Sequence, residues 1–323
     1  MPAVFDTLFG NLMVPTILFF VLGLVAAVVR SDLSIPEGAA KFMSLYLLLA
    51  IGFKGGHSLA EHGLRGDLVV AILAGLLLSF LIPFLAFFLL RLMTRLDAMN
   101  AAAVAGHYGS ISIVTFVAAS SLLDLSGMSF DGYMVAVAAS MEVPAILSAL
   151  WIAHRFSPER ANGHVPAREL FANGSVVLLA GAFVIGAVTQ DKGMEMIAPF
   201  VVTPFTGILC LFLLDMGLSA GRSLLNNRHM LNPGLFSFGL LMPVIGALMG
   251  WSVGSVIGLQ TGSLFLLMVL SASASYIAVP AAMRIALPKA ESGIYLTLSL
   301  GVTFPFNITV GLPLYLWMAG LGG

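Results

Sequence analysis

The stretch Ala105-Gly-His-Tyr-Gly-Ser-Ile-Ser-Ile-Val-Thr115 lies in the middle of an apolar run over residues 98–123. Its glycines and serines come about a dozen residues into a segment that is long enough to cross a bilayer. Glycine permits backbone conformations that other residues avoid. Irregular backbone is tolerated at this depth only where it lines a cavity or is buried in protein. The stretch therefore predicts a transmembrane helix that breaks near mid-membrane.

The composition of the whole chain agrees with a membrane location. Of its 323 residues, 59% are hydrophobic and only 9% are charged, and the mean hydropathy is +1.05. A soluble domain has about 25% charged residues, so most of this surface must face lipid. The chain has no basic run suited to nucleic acid, and its single cysteine, Cys210, excludes an internal disulfide.

Apolar runs of about 20 residues predict membrane spans. We count ten, at about 12–30, 38–57, 67–91, 98–123, 131–154, 171–189, 197–220, 234–258, 262–286 and 292–318. With ten spans, 11 of the 14 Lys and Arg residues fall on one side and only Lys54, Arg65 and Lys192 on the other. Because Lys and Arg concentrate in cytoplasmic loops, we expect a multi-pass protein of a bacterial inner (plasma) membrane, with both termini on the periplasmic side.

A shift of 165 residues superimposes several unusual segments of the chain. They are Gly52-Phe-Lys-Gly-Gly56 on Gly217-Leu-Ser-Ala-Gly221, Ser110-Ile-Ser-Ile-Val114 on Ser275-Tyr-Ile-Ala-Val279, and Met141-Glu-Val-Pro144 on Phe306-Asn-Ile-Thr309. Chance is the alternative, since Gly, Ser and Leu are common in membrane helices. The shift predicts a first five-helix repeat at 1–155, a cytoplasmic linker at 156–170 and a second repeat at 171–323.

Five spans per repeat is an odd number, so the second copy must enter the membrane from the opposite side. The fold class predicted is therefore an all-α membrane protein of ten transmembrane helices in two inverted repeats, with helices 4 and 9 broken. Secondary transporters commonly have this plan and bind their substrates near the midplane, where the repeats meet.

The second break is predicted in the stretch Ser271-Ala-Ser-Ala-Ser-Tyr-Ile-Ala-Val-Pro280. Pro280 lacks an N–H donor and disfavours helix just before it. A broken helix exposes unpaired amides at the positive end of the following half-helix, which suits a small oxyanion. The alternative is that these small residues only allow close helix packing.

Two further polar residues are predicted at the same depth, Glu142 and its repeat equivalent Asn307. An ionisable group inside the membrane is costly and is a functional candidate by default. Glu142 could ligate Na⁺ or carry a proton, and Asn307 offers a neutral carbonyl oxygen. A structural hydrogen bond is the alternative for each.

The chain also lacks the motifs of common enzymes. It has no Gly-x-Ser-x-Gly elbow, no phosphate-binding glycine-rich loop with Lys and no His-Glu-x-x-His. We therefore expect a protein that is not an enzyme and has no cofactor, with an ion gradient as the energy source.

These segments together resemble the sodium-dependent bicarbonate transporter (SbtA-type) permease family. The resemblance rests on the order and spacing of Ile35-Pro-Glu37, Ile51–Gly56, Gly106–Ser112, Met141–Pro144 and Ser271–Pro280. It implies a homotrimer in which a core domain (spans 3–5 and 8–10) moves as an elevator against a gate domain (spans 1, 2, 6 and 7). It also implies bicarbonate between the broken helices with Na⁺ beside it.

Carried over by position, the resemblance gives the anion set and Glu142, and the serine hydroxyls and the repeat equivalent Asn307 complete a predicted cation set. The anion set is Gly109, Ser110, Ser112, Ala274, Ser275 and Tyr276. The cation set is Glu142, Ser110, Ser273 and Asn307, with Na⁺ at the first three. Cyanobacterial members have an Asp where this chain has Tyr276, and their loop between the repeats is longer than 156–170. Tyr276 therefore leaves the cargo and the coupling ion open, and the short loop does not favour a PII-like regulator.

The leading hypothesis is Na⁺-coupled symport of bicarbonate. One alternative is a proton- or Na⁺-coupled transporter of another small anion or a carboxylate, with Glu142 and His107 as proton carriers. The other is a non-transporting membrane sensor with the same fold, which the small soluble surface does not favour.

Overall fold

The computed structural model describes residues 14–62, 67–157, 174–227, 230–276, 279–280, 282–283 and 287–320. In these residues the chain is helical and contains no strand. The helices are α1 Pro15–Val28, α2 Glu37–His62, α3 Asp67–Met93, α4 Ala98–Gly109, α5 Ile113–Leu125, α6 Met134–Ser140, α7 Glu142–Phe156, α8 Gly174–Val201, α9 Phe205–Asn227, α10 Pro233–Val256, α11 Thr261–Ala272 and α12 Ser292–Gly320. Apart from residues 156 and 157, the predicted linker lies outside the described residues.

Eight helical segments of the described chain are long and apolar enough to cross a membrane. Two of them are made of consecutive helices, α4 with α5 and α6 with α7. The apolar helices α1 and α11 have only 14 and 12 residues. At about 1.5 Å per residue they are shorter than a hydrocarbon core of about 30 Å. The chain is thus a multi-pass helical membrane protein, in which the ten predicted spans correspond to eight long segments and two short helices.

The structure differs from the sequence prediction around spans 6 and 7. Helix α8 continues to Val201 through a bend at Gln190, whose φ of 51° and ψ of −143° are not helical. Asp191 and Lys192, which suggested a loop, lie in the helix after this bend. Helix α9 therefore begins at Phe205 rather than near 197 and extends to Asn227. A single strained residue turns the chain here, and such a turn leaves no mark in the hydropathy.

The two helices that precede the predicted breaks are buried nearly all round. In α4 ten of the 12 residues are buried, and in α11 eleven of the 12 are. Five of the 12 residues of α4 are alanines, whereas α11 has four leucines and Phe265. A helix that is apolar on every side belongs in the centre of a bundle. The C-terminal ends of both helices therefore lie in the protein interior.

Helices α1 and α9 pack closely because glycines face each other. A Cβ atom at Gly23 would lie 2.2 Å from the carbonyl oxygen of Leu214, and one at Gly217 would lie 2.2 Å from that of Phe20. Gly221, one turn further along α9, faces Ala27. The contacts advance in the same direction along both helices, so α1 and α9 run parallel.

Helices α2 and α8 form a second pair of the same kind. A Cβ atom at Gly56 would lie 1.8 Å from the carbonyl oxygen of Phe183, and one at Gly186 would lie 2.2 Å from that of Phe53. Gly52, one turn before Gly56, contacts Ala182. This pair also runs parallel, and in both pairs small residues let the helix backbones touch.

We expect Gly217→Ala to destabilise the protein by about 1–3 kcal/mol, because an added methyl group must push α1 away from α9. Thermal unfolding of the detergent-solubilised protein measures the loss. Gly207→Ala on the same helix is the matched control, since no atom lies within 4 Å of a Cβ there. It should leave stability unchanged or raise it slightly, because alanine is the better helix former. Equal losses in both variants would contradict the close packing of α1 on α9.

Candidate functional site

The chain is interrupted after α4 and again after α11. Ser110 ends α4 in an extended conformation, with φ of −89° and ψ of 161°. Ser273 ends α11 in nearly the same conformation, with φ of −84° and ψ of 162°. The two 12-residue helices thus end alike, at positions 163 residues apart. This spacing aligns Ser110 with Ser273, and Ser112 with Ser275, in place of the Ser110–Ser275 pairing given by the shift of 165.

The two interruptions lie against each other. The Ser112 amide donates to Oγ of Ser273 at 2.8 Å, and the Ser275 amide donates to the carbonyl oxygen of His107 at 2.8 Å. Nδ1 of His107 is 2.7 Å from the carbonyl oxygen of Ser275. The side chains of Ser110, Ser112, Ser273 and Ser275 are all buried. The structure therefore brings the four serines together in one polar seam inside an apolar bundle.

The N-terminus of α5 offers unpaired backbone donors to this seam. Ser112 caps the helix, and its Oγ accepts from the Thr115 amide at 3.3 Å. The amides of Ile113 and Val114 have no acceptor among the described residues. The positive end of the helix dipole lies at the same place. The start of α5 is therefore the best-formed anion-binding feature of the seam.

Glu142 lies next to the first interruption. Its carboxylate accepts a hydrogen bond from Oγ of Ser110 at 3.0 Å and is 8% exposed. No Lys, Arg or His among the described residues forms an ion pair with it. A buried carboxylate needs a counter-charge or a proton, because its desolvation is costly. The location therefore suits a bound cation.

Asn307 makes the corresponding contact with the second interruption. Its Nδ2 donates to the carbonyl oxygen of Ala272, the last residue of α11, at 2.9 Å. Its Oδ1 accepts from the hydroxyl of Tyr315 at 3.0 Å. Asn307 begins a π-helical stretch, Asn307–Gly311, and such stretches are frequent at functional sites. The predicted pair Glu142 and Asn307 thus contacts the ends of α4 and α11.

The other predicted site residues take different positions. Gly109 faces α3, where a Cβ atom would lie 2.3 Å from Cγ of Pro83, so its lack of a side chain serves helix packing. Ala274 is buried in the seam. The Tyr276 ring meets Phe304 edge-on at 5.2 Å, and its hydroxyl lies 3.8 Å from Sδ of Met216. Tyr276 therefore connects the second interruption to α9 and α12.

Sequence reasoning gave too little weight to two neighbours of the seam. His107 is fully buried, stacks on Tyr295 at 4.4 Å, and has no partner for Nε2 among the described residues. The Tyr108 hydroxyl lies 2.5 Å from Oγ1 of Thr303, which donates to the carbonyl oxygen of Gly239 at 2.8 Å. These contacts anchor α4 to α10 and α12. The Gly-His-Tyr-Gly run was the sequence signal for His107 and Tyr108. Their partners lie on distant helices, so the sequence alone does not show them.

Two adjoining helix interruptions, with a buried acid beside them in a bundle of long apolar helices, define the class of multi-pass membrane transporters. The family model of the Na⁺-dependent bicarbonate transporter superfamily matches residues 15–320. The chain therefore belongs to this superfamily, and the resemblance found in the sequence is confirmed. Membership of a transporter family also agrees with a protein that is not an enzyme. No individual curated protein matches the chain.

We expect Ser273→Ala to destabilise the protein by about 1–3 kcal/mol, because the buried Ser112 amide loses its acceptor. Chemical or thermal unfolding in detergent measures the change. Ser252→Ala is the control, since that exposed serine bonds only the Leu248 carbonyl of its own helix. Ser252→Ala should change stability by less than about 0.5 kcal/mol. A Ser273 variant as stable as the control would show that the contact between the two interruptions adds nothing.

Proposed function

We propose that this protein is a secondary active transporter that carries bicarbonate into the cell together with Na⁺. The observation that carries the proposal is the buried Glu142–Ser110 pair beside two adjoining helix interruptions. Family membership supports Na⁺ and bicarbonate as the cargo. The steps below assign a role to each part of the seam.

The anion is held where α5 begins. The free amides of Ile113 and Val114 supply two donors, and the hydroxyls of Ser112 and Ser275 supply more. Bicarbonate is small and planar, so a few convergent N–H and O–H groups satisfy its oxygens. Tyr276, at the rim of the seam, limits the size of the anion. The apolar bundle around the seam strengthens these contacts because it excludes water.

The cation is held by oxygen atoms next to the anion. Glu142 supplies the charge, and the hydroxyl oxygens of Ser110 and Ser273 complete the set. Hard cations prefer such oxygen ligands. Asn307, whose Oδ1 already accepts from Tyr315, keeps the end of α11 in place and offers a further oxygen.

The charges of the two ions and of Glu142 then couple the binding of Na⁺ to the binding of bicarbonate. A bicarbonate ion near an ionised Glu142 is repelled across a low-dielectric interior. Na⁺ bound to Glu142 removes this repulsion, so each ion raises the affinity for the other by the same factor. The protein therefore moves when both ions are bound or when neither is.

An inverted repeat gives the movement its symmetry. In the first helix pair α1 packs on α9, and in the second α8 packs on α2, so the first helix of each proposed repeat packs on the second helix of the other. The facing glycines Gly52 and Gly56 lie 165 residues before Gly217 and Gly221. We propose that these four helices form the gate and that the remaining helices form a core which slides as an elevator. Tyr276, on the core, contacts Met216 on the gate and marks the sliding surface.

We extend the proposal to orientation and assembly. The excess of Lys and Arg on one side supports both termini on the periplasmic side of an inner membrane. Helix α8 exposes a row of apolar side chains that includes Val184, Ile185 and Val188, and these supply a surface for lipid or for the neighbouring subunits of a homotrimer.

Proton coupling, or transport of another small anion or a carboxylate, is the second candidate. The observation that favours it is His107, which is fully buried beside Ser275 with Nε2 free of partners among the described residues. His107 and Glu142 would then carry protons between the two sides. Uptake into proteoliposomes driven by a pH gradient without Na⁺ would favour this candidate over Na⁺ coupling.

We expect Glu142→Gln to abolish Na⁺-driven uptake of labelled bicarbonate into proteoliposomes, because the amide cannot neutralise Na⁺. Loss of this buried charged ligand should lower the rate of Na⁺-driven uptake tenfold or more, which corresponds to at least about 1.4 kcal/mol. Glu195→Gln removes an exposed carboxylate from α8 and is the control, with uptake expected within about twofold of the unmodified protein. Full Na⁺-driven uptake by Glu142→Gln would overturn the assignment of the cation site.

We also expect Ser110→Ala to raise the Na⁺ concentration for half-maximal uptake by about tenfold, because a ligand and a hydrogen bond to Glu142 are lost together. Ser299→Ala is the matched control, since the hydroxyl of this buried serine bonds only carbonyl oxygens of its own helix, those of Tyr295 and Leu296. A shift of equal size in both variants would point to general destabilisation and not to a lost ligand.

A further inference from the structure

Helices α1 and α9 end side by side and enclose a second polar cavity, separate from the seam. Its volume is about 380 Å³. Its lining consists of Ala27, Arg30, Ser31, Arg222, Leu225 and Asn226. Two arginines, a serine and an asparagine therefore line one space, and no carboxylate of the described residues does.

Arg30 has a backbone conformation that residues with a side chain rarely adopt. Its φ of 56° lies in the left-handed region. The Arg30 amide bonds the Ala27 carbonyl at 3.1 Å, and the Ser31 amide bonds the Ala26 carbonyl at 2.9 Å. Glycine is the usual residue at this position of a helix C-terminus, since a side chain is strained there. The arginine at this position thus has a strained backbone conformation and lines the cavity.

Arg222 is fixed on the opposite wall. Its Nη2 donates to the carbonyl oxygen of Leu33 at 2.6 Å, which uses one of its five N–H donors. No carboxylate of the described residues lies within 4.0 Å of Arg30 or Arg222. Asp215, two turns earlier on α9, acts on Arg222 through its charge but does not line the cavity. The cavity thus has two positive charges whose donors remain largely free.

The other glycine-packed pair shows that packing does not require these arginines. The shift of 165 residues places His57 opposite Arg222 and Glu61 opposite Asn226. There, Nε2 of His57 lies 3.0 Å from Oδ1 of Asp191, and Nδ1 lies 3.7 Å from Oε2 of Glu61. The end of the α2–α8 pair thus carries a histidine with two carboxylates, whereas the end of the α1–α9 pair carries two arginines. The arginines are a feature of the α1–α9 end alone.

We propose that this cavity binds a phosphate group, either that of an anionic lipid headgroup or free phosphate. Arginine forks match phosphate oxygens with paired hydrogen bonds. The Ser31 oxygen accepts from the Leu33 amide at 3.1 Å, so the hydroxyl hydrogen is free to donate to the anion. The cavity lies where two apolar helices end, on the Lys- and Arg-rich side of the protein, at the level of the headgroups. Phosphate bound there ties the ends of α1 and α9 together.

Thermal unfolding of the detergent-solubilised full chain tests the proposal. The probes are dihexanoyl phosphatidylglycerol, dihexanoyl phosphatidylcholine and potassium phosphate, all without Na⁺ so that the transport site does not contribute. We expect phosphatidylglycerol, but not phosphatidylcholine, to raise the midpoint by about 2 °C or more if the source is a lipid. A comparable rise with potassium phosphate, measured against potassium chloride at equal ionic strength, would assign the cavity to free phosphate.

Three variants separate the cavity from general charge effects. Arg30→Gly should lose the shift while unfolding no earlier than the unmodified protein without a probe, since glycine suits the left-handed backbone. Arg222→Gln should need at least tenfold more probe for the same shift. Arg95→Gln, an exposed arginine on the same side of the protein, should keep the full response.

The responses of the unmodified protein and of the three variants decide whether the cavity binds phosphate. A response to one probe that Arg30→Gly and Arg222→Gln both lose, and that Arg95→Gln keeps, supports the cavity as a phosphate site. Absence of any response in the unmodified protein, or equal responses in all variants, overturns it.

Discussion

The hydrogen bond from Ser110 to Glu142 joins an interrupted helix to a buried charge, and the arrangement of the interior depends on it. A carboxylate at this depth is costly in free energy unless something neutralises it. The only described donor to it is the hydroxyl at the end of α4, so the end of that helix and the acid must stay together. Asn307 makes the same kind of contact with α11 through a neutral amide. One side of the seam is therefore charged and the other is neutral, and the proposed cation and anion sites follow this difference.

The glycine-packed pairs provide the frame around this seam. Gly23 with Gly217, and Gly56 with Gly186, allow backbones to touch, and such contacts are rigid because no side chain can rearrange between them. The seam, by contrast, is held by hydrogen bonds between short extended segments. A stiff frame beside a hydrogen-bonded centre is suited to a rigid-body movement in which the centre travels as a unit. Tyr276 lies where the two parts meet, with its ring against Phe304 of the centre and its hydroxyl against Sδ of Met216 on the frame.

Much of the fold and of the seam could be predicted from the sequence, and the features that could not be predicted have physical causes. Composition and apolar runs identified the membrane and most helices, and glycines, serines and Pro280 located both interruptions. The shift of 165 residues pairs Ser110 with Ser275, whereas the two helix ends lie 163 residues apart and pair Ser110 with Ser273, a local difference that the sequence does not show. The bend at Gln190 and the partners of Tyr108 and His107 were not predictable, since they depend on contacts between distant helices. Gly109, which was predicted for the anion site, also leaves room for Pro83, and the sequence does not show this packing role.

We propose that Na⁺ on Glu142 removes the repulsion of an anion at the start of α5, so that the two ions bind cooperatively. Isothermal titration of bicarbonate into the purified protein, in Na⁺ and then in choline at the same ionic strength and pH, measures this coupling directly. We expect a bicarbonate affinity at least tenfold higher in Na⁺, or about 1.4 kcal/mol of coupling free energy. Equal bicarbonate affinities in Na⁺ and choline would contradict it.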